Sequence, residues 1–581
     1  MRFYFILVLL VGCSLFKKIN NETATGHFQL YSNPERIKVD KLDAHISRLV
    51  VISTNDWAGN LEAQQVTAQD QFSPEKTLLS VGGVEAFARY LEILRGKFQG
   101  QVLLVDAGNS LAGSLIARNT NGRAVVDAFS LLKYDAIGLA SADFAAGPEL
   151  RSPISPVQWM PKLFEKSKTP VIISNLINLK KATPVEWGNT APQLIKSVNG
   201  VKVGFISLLP DDLPKKLDAS VLNGLYIEPG QLSFLRQLRS LRLKGAEVIV
   251  LIKHGGISCG EVKAREKNLP LAKVNFDPRD PNVCDKTDPF VSFLEGLPAG
   301  SVDLVLTGGA KGKVANFIND IPVVQAMGGG KSFSRVELFW DKKAKQVLRE
   351  RTLIHQPTVV CHRFFKATED CFEADPSIDH RNLVPAKFLG ETISSDSLTA
   401  VLMNEWRQNS AEPLIENFHH HNLGQEIADS LLATTELDVA VIGSQGWKLM
   451  LPKGTLSYLD FYRQKAAREK IFKLTLSGFE LQSLRVHIEE RGWFASHTPL
   501  EDLSTRESIS VGMNEKLWYR LQRDLFPGKT AELQSLIIAD TLVSWKQDSV
   551  QTFASGRSPA LPRTPDEVPA DSTDATALDG K

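Results

Sequence analysis

Beyond residue 12 the sequence has no apolar run long enough to cross a bilayer, so no internal transmembrane helix is expected. It has no excess of charge: 67 Lys and Arg face 66 Asp and Glu, and no long basic run breaks the balance. That excludes nucleic acid as the expected partner. Cysteine is scarce, five in 581 residues, and no Cys-x-x-Cys or Cys/His spacing offers a zinc site. No internal repeat is present. What remains is ordinary for a globular chain, 43% hydrophobic and 23% charged, with length enough for two to four domains.

The N-terminus reads as a targeting segment. Arg2 precedes the apolar run "FYFILVLLVG" (3–12), which is too short to span a membrane as a mature helix. The run ends in "LVGC", which resembles the bacterial lipobox. That likeness implies cleavage and diacylation at Cys13, with residues 1–13 as the signal peptide. Ser14, where an Asp would retain the protein, fits an outer-membrane lipoprotein facing the periplasm. An ordinary signal peptide with a chance Cys is the alternative. Residues 14–46 are polar and aperiodic and read as a tether. Without Cys13 four cysteines are left, which allow three connectivities. Pairing sequence neighbours within loops gives Cys259–Cys284 and Cys361–Cys371.

From residue 47 the texture changes. "SRLVVISTND", "QVLLVDAGNS", "DAIGLAS", "VKVGFISLL", "AEVIVLIKHGG" and "VDLVLTGGAKG" are apolar cores with polar or Gly-rich C-terminal ends. Amphipathic stretches such as "GGVEAFARYLEILRGK" separate them. This predicts a layered α/β domain over 47–355, with any ligand at the carboxyl ends of the strands. A connector carrying a Cys pair (356–385) leads to a smaller α+β domain over 386–555. The Pro-rich tail 556–581 predicts disorder. Two motifs are discounted. "MGGGKS" (327–332) lacks the first Gly of a phosphate loop and runs into a strand. "HHH" (419–421) has no acidic or Cys companions and reads as a solvated turn.

The strand ends, in order, are "TNDWAGN", "VDAGNSLAGS", "ASADFAAG", "IKHGG" and "TGGAKG". As a set they resemble the blocks of the 5'-nucleotidase family: Asp-x-His-Gly, Asp-Ala-Gly-Asp, Gly-Asn-His-Glu-Phe, Ser-His-x-Gly and Gly-Gly-His-x-His. "LGQEIAD", "DVAVIGSQGWKLMLPKG" and "KLTLSGFEL" resemble that family's C-terminal domain, and the likeness covers roughly 47–350 and 420–520. It implies a metallophosphoesterase-like α/β sandwich that would use two divalent metals to polarise a phosphoryl group.

Residue by residue the resemblance is broken. Asp56 and His254 stand where the family has ligands. Ala58, Asn109, Ser141, Ala142, Ala310 and Gly312 stand where it has His, Asp, Asn, His, His and His. Six of eight positions have lost the required group, so no cofactor is expected; Asp56, Asn109 and His254 are remnants. Asp56 also reads as a turn cap and His254 as a hydrogen-bonded core residue. An ammonium, from Lys311 or from Lys253, could supply Asp56 with the missing positive charge. The former substrate loop ends in Gly443, Gly446, Trp447 and Lys448 where the family has an Arg. The base-stacking Phe falls near Ala467, and "YRLQRD" replaces a Gly-rich aromatic loop. The expectation is a non-catalytic binding or scaffolding protein of the envelope, whose partner is an envelope protein or a small molecule. A weak or altered metal-dependent phosphoesterase, and a small-molecule receptor using the cleft between the domains, are the alternatives.

Overall fold

The computed structural model describes residues 42–542, apart from 69–76, 146–155, 218–220, 258, 260–278, 281–282, 310–311, 367–370, 372–381, 409–412, 419–422, 444–453, 458–460, 462–465, 498–502, 504–505 and 539–540. The first compact unit is built on two sheets. In one, the strand Ile46–Thr54 pairs in parallel with Val102–Asp106, which is followed by Ala136–Gly138 and Val171–Ile172. On its other side Ile46–Thr54 pairs antiparallel with Ser332–Asp341, from Ile46 opposite Asp341 to Ser53 opposite Ser334. The second sheet runs Val201–Leu208, Val248–Lys253, Leu304–Leu306 and Ile321–Gln325, all parallel.

The strands read as continuous apolar runs because both faces are buried. Leu49, Val51, Leu103 and Val105 face Val203, Phe205, Val250 and Leu304 between the sheets. Val50, Ile52 and Leu104 point the other way, under Phe87, Tyr90 and Phe129 of the helices Val84–Lys97 and Arg123–Leu131. The second sheet is covered by Phe234 and Leu241 of the helix Gly230–Leu243 and by Phe290. The result is a helix–sheet–sheet–helix sandwich: the strand pattern predicts a layered α/β domain, and the family resemblance implies the sandwich.

The second unit holds a five-stranded sheet in the order Phe494–His497, Val439–Ile442, Ile509–Asn514, Lys470–Leu476, Glu532–Ile537. The helix Gly478–Arg491 covers it, opened by a reciprocal cap between Ser477 and Glu480.

Two domain boundaries differ from the sequence reading. The division falls between residues 410 and 411, not at 386. The helix Ser397–Gln408 belongs to the first unit: Met403 is fully buried in its core, and Arg407 binds Glu62 and Glu85 at 3.0 and 2.7 Å. The segment expected as a connector is also core. Leu353–Val359 pairs with Ser332–Asp341, and Cys361 and Cys371 are fully buried among the same side chains. Both expected disulfides form, with Cα separations of 3.9 Å for Cys259–Cys284 and 5.8 Å for Cys361–Cys371.

Candidate functional site

The carboxyl ends of the strands converge on Asp56. Its backbone, at φ 50°, is left-handed, as are Ala58 at 48° and Asn109 at 62°. Non-glycine residues rarely sit there, and such strain collects at functional corners. The conformations are held by neighbours: Asp56 N donates to Gly108 O at 2.9 Å, Ala58 N to Asn109 O at 3.0 Å, and Gly329 N to Asp56 O at 2.6 Å. The "MGGGKS" stretch thus closes over the end of the first strand and leads into the strand Ser332–Asp341, with no helix after it.

Four donors meet the Asp56 carboxylate. His254 Nε2 and Asn109 Nδ2 reach Oδ1 at 2.9 and 2.6 Å; Asn55 Nδ2 and Gly309 N reach Oδ2 at 2.8 and 2.7 Å. Burial pushes the Asp56 pKa up. The hydrogen bond and charge of His254, with the Asn55 and Asn109 amides, outweigh burial and leave it below the ordinary carboxylate value. Because His254 follows the strand Val248–Lys253, this pair ties the two sheets together at their site ends. The fit is close: a Cβ on Gly308 would lie 2.7 Å from Asp56 Oδ2, and one on Gly309 would lie 2.6 Å from His254 Cε1.

Two further carboxylates lie behind this layer. Asp143 is fully buried and accepts four backbone N–H groups, from Asn109, Ser110, Leu111 and Ala140, at 2.7 to 2.8 Å. Burial still pushes its pKa up. Asp106 Oδ1 accepts Gly108 N and Ser110 Oγ, and its Oδ2 bonds Thr54 Oγ1, which in turn meets Tyr134 Oη at 2.9 Å. Complete desolvation raises the Asp106 pKa to about 8. Among the described residues no group of three or more His, Cys, Asp or Glu converges as metal ligands would.

The structure therefore brings together Asp56, Asn109 and His254, the three remnants named from the sequence. It also places Ala58 and Ser141, half-buried, and the exposed Ala142 at the same strand ends. The cation expected from lysine is not delivered by Lys253, whose ammonium lies over the rings of Phe290 and Phe293 at 5.7 and 4.8 Å. The imidazole of His254 takes the place beside Asp56 instead. Lys311, Ala310, Gly446, Trp447, Lys448, Cys13 and the "HHH" stretch lie outside the described residues. Gly443 N donates to Asn514 Oδ1 at 3.1 Å, and Ala467 is fully buried. "YRLQRD" continues the helix Glu515–Asp524, whose Trp518 and Leu521 are packed in the second core.

Sequence reasoning missed Asn55 and Asp143. Asn55 bonds both the N–H and the C=O of Ala326, fixing the glycine-rich loop. Asp143 had a signal: an Asp in the short turn that follows a strand, here five residues past Gly138, is a natural acceptor for turn amides.

No protein-family model matches the chain. Over 303 residues it is 25% identical to the 5'-nucleotidase of Rattus norvegicus, covering 52% of this chain and 47% of that protein. It is 22% identical over 306 residues to the cell wall protein Lmo0130 of Listeria monocytogenes, covering 50% and 37%. The chain thus spans about half the length, or less, of these curated relatives. Among solved structures it resembles a putative 5'-nucleotidase from Staphylococcus aureus, with a TM-score of 0.53 at 14% identity over 86% of this chain and 97% of that one. A 5'-nucleotidase precursor from Thermus thermophilus gives 0.50 at 17% identity over 86% and 96%. At such identities the structural likeness speaks for the fold alone. In sequence the chain is thus similar to 5'-nucleotidases over about half its length, and its fold is that of their two-domain structures, a metallophosphoesterase-like domain followed by a smaller C-terminal domain.

Proposed function

We propose that this chain is a lipid-anchored protein of the bacterial envelope that uses a 5'-nucleotidase-like fold for binding or scaffolding and not for hydrolysing phosphate esters. The observation that carries this reading is the set of four donors on Asp56. A two-metal centre needs several anionic and imidazole ligands left open toward the ions. The remnants are one carboxylate, one neutral amide and one imidazole, and they are engaged with one another. Asn109, at the position where the resemblance expects a bridging carboxylate, turns its N–H to Asp56 and acts as a donor. These residues do not fit two divalent ions.

The anchor rests on "LVGC" and on the apolar run before it. Mass spectrometry of the mature N-terminus is expected to find an acylated Cys13. An unmodified terminus elsewhere would remove the anchor from this reading.

The catalytic question is tested by assaying the purified protein on 5'-AMP and on a generic phosphoester with manganese or zinc, beside its metal content. The expected result is turnover no faster than with the metal alone. Metal-dependent turnover that disappears in Asp56→Ala would instead establish the competing reading, a weak phosphoesterase. One observation favours that rival: Asp56 and His254 keep their family positions and meet at 2.9 Å.

A further inference from the structure

The helix Gly230–Leu243 has two faces, and only one of them is explained by the core. Ser233, Phe234, Gln237 and Leu241 are buried against the second sheet. The opposite face carries Leu232, Leu235 and Leu243, exposed at 57%, 40% and 80%. At 100° per residue these leucines share an arc of about 120° with Arg236, Arg239 and Arg242. No acidic residue occurs between Glu228 and Glu247. Glu228 is already engaged by Arg236 at 2.7 Å, and Glu247 accepts the Lys202 N–H. In a chain whose charges otherwise cancel, this face concentrates arginine and solvent-facing leucine.

We propose that this face docks on an anionic lipid surface, with the leucines entering the headgroup boundary and the arginines meeting lipid phosphate. A helix that is basic on its polar positions and carries leucine between them is the pattern that lies in a membrane interface. A protein groove would be expected to bury the leucines without selecting for arginines between them, of which Arg236 is shared with Glu228 and Arg242 also caps the Ala246 and Glu247 carbonyls.

The start of the first described strand supports the same occupant. Ser47 Oγ donates to Asn199 O and Asn199 Nδ2 to Arg48 O, both at 3.0 Å. Three residues past Asn199, Lys202 O accepts the Glu247 N–H just past the C-terminal end of this helix. The first described strand therefore starts at the same end of the two sheets as the C-terminal end of this helix. The 28 residues between Cys13 and Leu42 can span up to roughly 90 Å, far more than the helix length. A lipid at Cys13 would hold this end of the molecule at a membrane and leave the face free to lie flat on it. The proposal borrows only the membrane location from the functional reading and is indifferent to whether the protein hydrolyses anything.

The test uses the chain from Ser14 to Lys581 without its lipid. That chain keeps every described element, and its melting temperature is first matched to that of the full chain. Co-sedimentation is measured with phosphatidylcholine vesicles containing about a third phosphatidylglycerol, and with phosphatidylcholine alone. The expected result is binding to the anionic vesicles only, weakened by high salt. It should fall about tenfold in the triple variant Leu232→Ser, Leu235→Ser, Leu243→Ser, and again in Arg236→Gln with Arg239→Gln. All five positions are solvent-facing, so the variants should melt with the parent. Absence of binding by the parent, equal binding to both vesicles, or a folded triple variant that binds like the parent would overturn the proposal. None of these outcomes bears on Cys13 acylation or on turnover, so the functional reading stands or falls separately.

Discussion

Asp56, Ala58 and Asn109 hold left-handed backbones at the corner where the strand ends meet. An alanine there carries the steric cost of its Cβ, which glycine avoids. Ala58→Gly is therefore expected to stabilise the protein by about 0.5–1 kcal/mol, although glycine usually destabilises. Urea melts of the two proteins measure this, and a loss of stability would show that the Ala58 methyl packs usefully. Asp106 gives a prediction in pH. Its folded-state value of about 8 lies above the ordinary 3.8, so the folded protein keeps a proton that the unfolded chain releases. The sign follows from linkage: its contribution is full below about pH 4 and drains away as the pH rises toward 8. Asp106→Asn is neutral throughout, and its amide can donate to Thr54 Oγ1 while its oxygen still accepts Gly108 N and Ser110 Oγ. Its stability should fall less than the parent's between pH 5 and pH 8. Parallel curves for parent and variant in that window would refute the assignment. The three remnant residues were legible because the blocks at the strand ends resemble those of the 5'-nucleotidase family, which mark Asp56, Asn109 and His254 as ligand positions. The donors that complete the cluster were not. The Asn55 amide also ties down Ala326, and the Gly309 N–H comes from a strand end about 250 residues away, a closeness that only the folded sheets create.

At the scale of elements, the strands were legible because burial on both faces leaves an unbroken apolar run, as in "RLVVIST" and "VIVLIK". The helix Ser397–Gln408 was visible as a helix but assigned to the wrong unit. Its amphipathic pattern says that one face is buried and does not say against which partner. That partner is the first core, reached by Met403 and clamped by Arg407. The segment after residue 355, expected as a connector, is likewise held by the first core: Tyr90 Oη bonds both the N–H and the C=O of Cys361. The disulfides close loops of 25 and 10 residues. In the chain-entropy model each is worth about 3 kcal/mol. Replacing Cys361 and Cys371 together by Ser should therefore lower the unfolding free energy of the first unit by about 3 kcal/mol, read by urea denaturation. A loss near zero would mean that the buried contacts around Cys361 hold without the bridge.

For the whole molecule, the question is what joins the two sheets where the family would place its metals. Here the join is a hydrogen bond between the side chains of His254 and Asp56, assisted by an asparagine on either side. Folded-state protonation follows: the Asp56 pKa lies below its ordinary value, so its stabilisation is present above about pH 4 and is lost as the pH falls through that lowered value. A metal-bearing relative built on this plan would gain stability from its ions by mass action, about 2.7 kcal/mol at a hundredfold excess over the dissociation constant. On the proposed reading this protein gains nothing from them, because entry of an ion at Asp56 would first break four hydrogen bonds. Thermal melts with and without millimolar manganese or zinc should superimpose. His254→Ala should lower the melting temperature whether or not metal is present, by removing one donor from a half-buried carboxylate, a loss of about 1–3 kcal/mol. The informative arm is the combination: if metal restores the melting temperature of His254→Ala, the cluster retains an ion site that the histidine merely covers. If it does not, the His254–Asp56 contact links the sheets without an ion.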